Sequence, residues 1–243
     1  VRIIGHRGAR AEAPENTLAG FARALAAGVA GIETDIAMTA DFVPVLHHDA
    51  ALADGRLICR TLRADLPGHV PDLAAALALA PAGVWLLEVK TYPERPGEAH
   101  PPDVVVERVL AVLAAFPAAQ VSVLAFEWAV LRAVAARAPG VRRVCLTSPR
   151  TALRRRVWWG PGFAGKRTAR AVAASGAQGW AAYHATLTAR AVAQAKAAGL
   201  EVLTWTVNDE NDFSRLSPVV DAVITDRPTY FLARLQPAAR REP

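Results

Sequence analysis

The chain has 243 residues, 53% hydrophobic and 21% charged, which is room for one large core and close to the ~250 residues typical of a (β/α)8 barrel. No apolar run reaches the ~18 residues needed to cross a membrane, and two cysteines, Cys59 and Cys145, read as free thiols and not as a disulfide framework. The net charge of +6 suits anionic partners but selects none, because arginine takes the place of lysine throughout and alanine is abundant.

Residues 1–5 read as an apolar strand, and 16–27 as an amphipathic helix stopped by Gly28, which tolerates a left-handed cap. Strands follow at 31–36 and 43–46, then a helix at 71–79 and a dense apolar strand at 84–89. The pattern continues with helix 102–115, strand 120–126, helix 127–138 and strand 141–147. Helix 167–175, strand 179–183, helix 188–198, strand 201–207, helix 211–216, strand 222–224 and helix 229–235 complete it.

Continuous apolar strands alternating with helices indicate a parallel sheet covered on both faces, and this many units favour a closed TIM (β/α)8 barrel. Nine strand candidates stand where a barrel needs eight, and 179–183 is the weakest of them. The link from Asp35 to Val43 is too short for a crossover helix, so an irregularity is expected there. No Pro- or Gly/Ser-rich linker divides the chain, which predicts a single domain over 1–243. The first residues already read as a strand and no signal peptide is visible, so a cytoplasmic protein is expected; the chain opens on Val and not Met, which leaves a removed upstream segment, and with it a secreted origin, as the alternative. GxxxxGK[ST] does not occur, and the GxGxxG at 160–165 does not directly follow a predicted strand, which argues against P-loop nucleotide and dinucleotide binding.

In a parallel barrel the C-terminal strand ends carry the chemistry. There the sequence places His6 and Arg7, Glu33 and Asp35, His48 and Asp49, Glu88 and Lys90, then Phe126, Trp205 with Asn208, and Asp226. Glu33 and Asp35 are two apart on a strand, so both point to one face while Ile32 and Ile36 point to the other. Glu88 repeats the arrangement. Like charges converging in a barrel mouth repel, and a bound cation relieves that repulsion. Oxygen-only ligands favour one hard divalent ion, Ca²⁺ or Mg²⁺. His6 and His48 are the candidates for proton transfer. Arg7 and Lys90 can hold an anion, the first through two parallel hydrogen bonds and the second as a point charge.

These residues sit in HRG (6–8), PENT (14–17), ETD (33–35), TAD (39–41), VLHHD (45–49), LEVK (87–90), TWTVN (204–208) and ITDRP (224–228). In that order the motifs resemble the glycerophosphodiester phosphodiesterase family over nearly the whole chain. The resemblance implies a barrel of the phospholipase-C-like phosphodiesterase type that hydrolyses small-molecule glycerophosphodiesters to glycerol 3-phosphate and an alcohol. It implies His6 and His48 as the acid/base pair, Glu33, Asp35 and Glu88 as ligands of a divalent ion, Arg7 and Lys90 on the phosphate, and Phe126 and Trp205 on the glycerol side. In such families the glycerol 2-hydroxyl can attack phosphorus, and water then opens the cyclic phosphate. The chain departs from the family in a short cap between Ala50 and Pro71, and in Ala125 where a serine often precedes the fifth-strand Phe.

The stretch 154–166, RRRVWWGPGFAGK, interleaves basic residues with Trp158, Trp159 and Phe163. A helix end that packs its aromatics is the favoured reading; weak contact with a membrane surface is the alternative. Nucleic acid is not an expected partner, since aromatic–basic interleaving is confined to that stretch. Two functional alternatives stand beside hydrolysis of deacylated diesters. One is a lysophospholipase D using the same residues. The other is a non-catalytic barrel that binds phosphoesters, which loss of a core residue would mark, and none is lost.

Overall fold

Strand β1 (Arg2–His6) pairs in parallel with β2 (Gly31–Met38) in a computed structural model that describes residues 1–235. A short β3 (Pro44–Leu46) turns back antiparallel on β2, with Ile36 opposite Leu46. Then β4 (Val84–Val89), β5 (Gln120–Ala125), β6 (Arg142–Thr147), β7 (Gly179–Tyr183), β8 (Glu201–Trp205) and β9 (Ala222–Thr225) each pair in parallel with the preceding barrel strand. β9 returns to β1, so eight parallel strands close into a barrel.

The surplus strand is therefore β3, and 179–183 is a full barrel strand in register with β6 and β8. Its sequence, GWAAY, lacks the β-branched residues that mark its neighbours. Ala181 fills a position inside the barrel where space is small, while Trp180 packs outward against the helices. The short link after Asp35 is the irregularity expected: β2 runs on to Met38 and the chain reverses at once. A satellite cluster of Val45, Leu52, Ile58, Leu66 and Val70 gives the short cap over 50–71 its own small core.

Ten helices cover the barrel among the described residues, from α1 (Leu18–Ala27) through α2 (Leu73–Leu79), α3 (Pro102–Leu113) and α4 (Trp128–Arg137). Two short ones, α5 (Pro149–Leu153) and α6 (Arg155–Trp158), follow β6, and α7 (Thr168–Ala174), α8 (Ala189–Ala197), α9 (Glu210–Leu216) and α10 (Pro228–Leu235) complete the ring. Their apolar faces meet the outer face of the barrel in one continuous core; Phe21 of α1 packs edge-on to Trp85 at 5.6 Å.

The first helix begins two residues later than its periodicity predicts. Thr17 is its N-cap and accepts from the Gly20 backbone N–H at 3.1 Å. Asn16 is left outside the helix in a left-handed conformation, φ 53°, with its side chain buried. That displacement matters for the site.

Candidate active site

The barrel interior is a layer of Ile4, Leu86, Leu124, Leu203 and Ile224. Strand side chains alternate, so the next inward residue on each of these strands lies two positions on, at the C-terminal mouth. Those residues are His6, Glu88, Phe126, Trp205 and Asp226. β2 differs, because it turns Glu33 and Asp35 inward. Register sets His6 beside Glu33 and Asp35 beside Glu88, which gathers the acids on one side of the mouth.

Glu33, Asp35 and Glu88 are all buried, and each offers a carboxylate oxygen such that the three lie within 4.8 Å of one another. The group is held by specific donors. The Arg7 backbone N–H donates to Glu33 Oε2 at 3.1 Å, which requires the left-handed φ of 49° at Arg7. Gly8 follows at φ 91°, and a Cβ there would come within 2.8 Å of the Gly20 backbone, so the HRG turn needs its glycine. Lys90 Nζ lies 2.7 Å from Glu88 Oε1 and 3.3 Å from Asp35 Oδ1. Arg7 Nε lies 3.1 Å from Asp35 Oδ2, and the guanidinium also donates to Glu15 at 2.9 Å.

Burial raises the pKa of Glu33 well above the usual carboxylate range, and the neighbouring Asp35 and Glu88 charges push it further. Burial acts on Asp35 too, but Lys90, Arg7 and His48 outweigh it and keep this carboxylate ionised. Lys90 stays charged against its own burial because Glu88 and Asp35 face it. Two carboxylates are thus balanced by cationic side chains and the third is short of positive charge. Asp35 Oδ1 is buried and takes no hydrogen bond. An all-oxygen donor set with one unmatched charge and one free buried lone pair fits a hard divalent cation.

The two histidines stand on different supports. His6 Nδ1 donates to Asp226 Oδ1 at 2.5 Å, which leaves Nε2 to face the mouth, 3.9 Å from Glu33. Asp226 is itself fixed, since Asn208 Nδ2 donates to its other oxygen at 2.7 Å and its backbone N–H donates to Asn208 Oδ1 at 3.0 Å. Burial would raise the Asp226 pKa, but the bond from His6 holds it below the ordinary value. His48 follows β3 and is part exposed. Its Nδ1 meets Asp49 at 2.8 Å, and its backbone carbonyl accepts from the Tyr92 hydroxyl at 3.2 Å. Burial and then the Lys90 charge lower the His48 pKa, so its imidazole favours the neutral form.

Phe126 and Trp205 close the opposite side, ring centroids 5.4 Å apart and nearly perpendicular. The cavity measures about 80 Å³ and is lined by His6, Arg7, Glu33, His48, Glu88, Lys90, Phe126 and Trp205; of the strand-end residues named from the sequence, Asp35, Asp49, Asn208 and Asp226 do not line it, and Asp35 supports Arg7 and Lys90. A larger opening of about 490 Å³ at the N-terminal end of the barrel, lined by Arg2, Gln120, Arg142 and Glu201, contains none of these groups.

Sequence reasoning missed the supports. Asn16 Nδ2 donates to Asp35 Oδ2 at 2.9 Å, and its Oδ1 accepts from the buried Thr34 hydroxyl at 2.7 Å. Asp226 stands at a strand end, but nothing in the spacing of residues 220 apart pairs it with His6. The only signals were the PENT and ITD motifs that contain Asn16 and Asp226.

A closed parallel barrel with acids and bases gathered at the C-terminal mouth of its strands defines a (β/α)8-barrel enzyme site. The chain belongs to the Glycerophosphoryl diester phosphodiesterase family, whose model matches residues 6–230. Among solved structures it is similar to a Silicibacter pomeroyi protein assigned to the glycerophosphoryl diester phosphodiesterases, 33% identical with a TM-score of 0.81 over 94% of this chain and 90% of that one. The fold is shared with an Oleispira antarctica phosphodiesterase in complex with the product sn-glycerol-3-phosphate, 24% identical, TM-score 0.79, over 96% of each chain. Curated relatives include glycerophosphodiester phosphodiesterase 1 of Bos taurus, 50% identical over 98 residues, and a glycerophosphoinositol inositolphosphodiesterase of Mus musculus, 37% identical over 91. The matched segments span 32% and 37% of this chain but only 30% and 17% of those proteins.

Proposed function

We propose that the chain forms one catalytic barrel, residues 236–243 lying outside the described residues, that hydrolyses glycerophosphodiesters to glycerol 3-phosphate and an alcohol, with His6 and His48 moving the protons. The observation that carries the reading is the placement of two histidines on separate supports, one backed by Asp226 and the other kept neutral, around a single cavity that also holds Arg7 and Lys90. His48, neutral and beside Lys90, takes the proton from the glycerol 2-hydroxyl as it attacks phosphorus. His6, whose Nδ1 is held by the Asp226 carboxylate, gives a proton from Nε2 to the departing alcohol. Water then opens the cyclic phosphate with the two roles exchanged.

Glu33, Asp35 and Glu88 would hold one divalent ion, Ca²⁺ or Mg²⁺, which when bound supplies positive charge to the phosphoryl oxygens. Arg7 presents its guanidinium toward the same oxygens from a position fixed by Asp35 and Glu15. Lys90 supplies a compact charge beside Glu88. Phe126 and Trp205 give the glycerol carbons an apolar wall and keep water off that side of the phosphate.

A lysophospholipase D acting through the same residues is the second reading. It is favoured by the extension of the aromatic wall past Phe126 to Trp158, 6.4 Å away, toward an exposed apolar surface. Release of the alcohol from glycerophosphocholine and from a lysophospholipid, each assayed with and without added metal, separates the two. Preference for the first supports the proposal, and preference for the second supports the alternative. Turnover of neither substrate, with metal present, contradicts both.

A further inference from the structure

Charge is distributed very unevenly along the chain. Residues 128–200 contain thirteen of the 28 Lys and Arg and none of the 22 Asp and Glu. That stretch is one contiguous side of the barrel, from α4 to α8. Composition bias toward arginine explains which cation is used. It does not explain why this stretch has no carboxylate of its own; those that reach its cations, Asp103 to Arg137, Glu201 to Arg142, Glu94 to Arg150 and Arg154, and Asp221 to Lys196, come from outside it.

The α5–α6 segment is the apex of this side, at the C-terminal mouth. Its tryptophans face inward: Trp158 and Trp159 are buried, Trp159 is stacked on Trp128 at 4.6 Å, and Trp158 stands against Phe126 of the cavity. What faces solvent is aliphatic. Leu153 is 87% exposed, the most exposed large apolar side chain of the described residues, and Val157 is 48% exposed. Around them lie Arg150, Arg154, Arg156, Lys166 and Arg167. Glu94, reaching over from the loop after β4, bonds Arg150, Arg154 and Trp158 Nε1 and so straps the segment to the mouth. Arg156, Lys166 and Arg167 form no ion pair among the described residues.

We propose that α5–α6 docks the barrel mouth onto an anionic lipid surface, with Leu153 and Val157 entering the interface and the unpaired cations meeting the headgroups. Two independent features meet in one place: a basic face complementary to negative headgroups, and a protruding aliphatic pair that none of the described residues covers. A soluble polyanion would use the charge alone and leave Leu153 in water. The tryptophans are the segment's internal foundation and not its anchors. The proposal stands apart from the assigned catalytic roles, because it is read by binding and not by turnover.

The test is co-sedimentation of the full chain with phosphatidylcholine vesicles, pure or containing a third of phosphatidylglycerol, at physiological salt. Wild type is expected on the mixed vesicles and not on the pure ones. Leu153→Asp, and the double variant Arg156→Glu with Arg167→Glu, should each weaken partitioning by about tenfold or more, given the contribution of each basic residue at an anionic surface. Both variants should keep wild-type melting temperature and wild-type turnover of a soluble glycerophosphodiester. Equal partitioning of wild type and both variants would overturn the proposal. So would no binding to the mixed vesicles, or a loss in the double variant alone with Leu153→Asp unaffected, which would reveal a charge-only surface for soluble polyanions.

Discussion

The side-chain amide of Asn16 donates to Asp35 Oδ2 at 2.9 Å, and both residues are buried. Asp35 lies beneath the cavity floor and holds Arg7 and Lys90 in place, so Asn16 sets the position of three charged groups without lining the cavity. Supports of this kind typically change metal affinity or activity 10–100-fold when removed. Asn16→Ala should weaken Ca²⁺ or Mg²⁺ binding by about that factor, and Asn16→Asp should weaken it more by adding a fourth buried acid. Titration calorimetry with each variant checks this, and unchanged affinity in Asn16→Ala would remove the amide from the account.

Metal binding should release a proton. Glu33 is held protonated above the ordinary carboxylate range by burial and by Asp35 and Glu88, whereas a metal ligand must be ionised. Affinity should therefore rise with pH up to the raised value of Glu33 and level off above it. Calorimetry in two buffers of different ionisation enthalpy reads the proton count directly. A binding enthalpy independent of buffer would contradict the assignment of Glu33.

Asp226 and His6 should act as a unit. His6→Ala and His48→Ala should each lower turnover at least ~100-fold, the low end for general acid/base catalysis. Asp226→Asn keeps the shape but removes the charge facing His6 Nδ1. It should lower turnover without a comparable change in KM, and combined with His6→Ala it should cost little more than His6→Ala alone. Additive losses in the double variant would separate the two residues.

Acid sensitivity follows from Asp35. Its folded-state pKa lies below the ordinary aspartate value, because Lys90, Arg7 and His48 outweigh burial. Its contribution to stability is fully present above the ordinary value and is lost as pH falls through and below it. Lys90→Met should remove part of that acid-labile stability. Denaturant midpoints for wild type and variant, compared between neutral and acid pH, should converge on acidification, and a constant difference would contradict the linkage.

Trp159 is fully buried and stacked face to face on Trp128, with the Arg155 guanidinium 5.2 Å above its ring. Trp159→Ala should cost roughly 3–5 kcal/mol, as for other buried aromatics. A urea midpoint close to wild type would show that the tryptophans of 154–166 are not structural.

The barrel and the polar content of its mouth were legible because both are strand-period properties. Apolar runs mark the strands, and a charged residue at a run's end must face the mouth or solvent. His6, Glu33, Glu88 and Lys90 were read in that way. β7 was underrated because Ala181 and Ala182 carry little β signal, and only the closed barrel shows why a small residue belongs there. Asn16 was misplaced because helical periodicity extends through it; the left-handed turn that expels it depends on contacts with Asp35 and Thr34. The Asp226–Asn208 support and the strap from Glu94 to Trp158 join residues far apart in the chain, and no local pattern encodes them.

The most direct test of the central claim is the release of glycerol 3-phosphate from glycerophosphocholine by the full chain, measured before and after chelation and again after Ca²⁺ or Mg²⁺ is restored. Turnover should be abolished by the chelator and recovered with the metal. Full turnover in excess chelator, or no release of glycerol 3-phosphate with metal present, would contradict it.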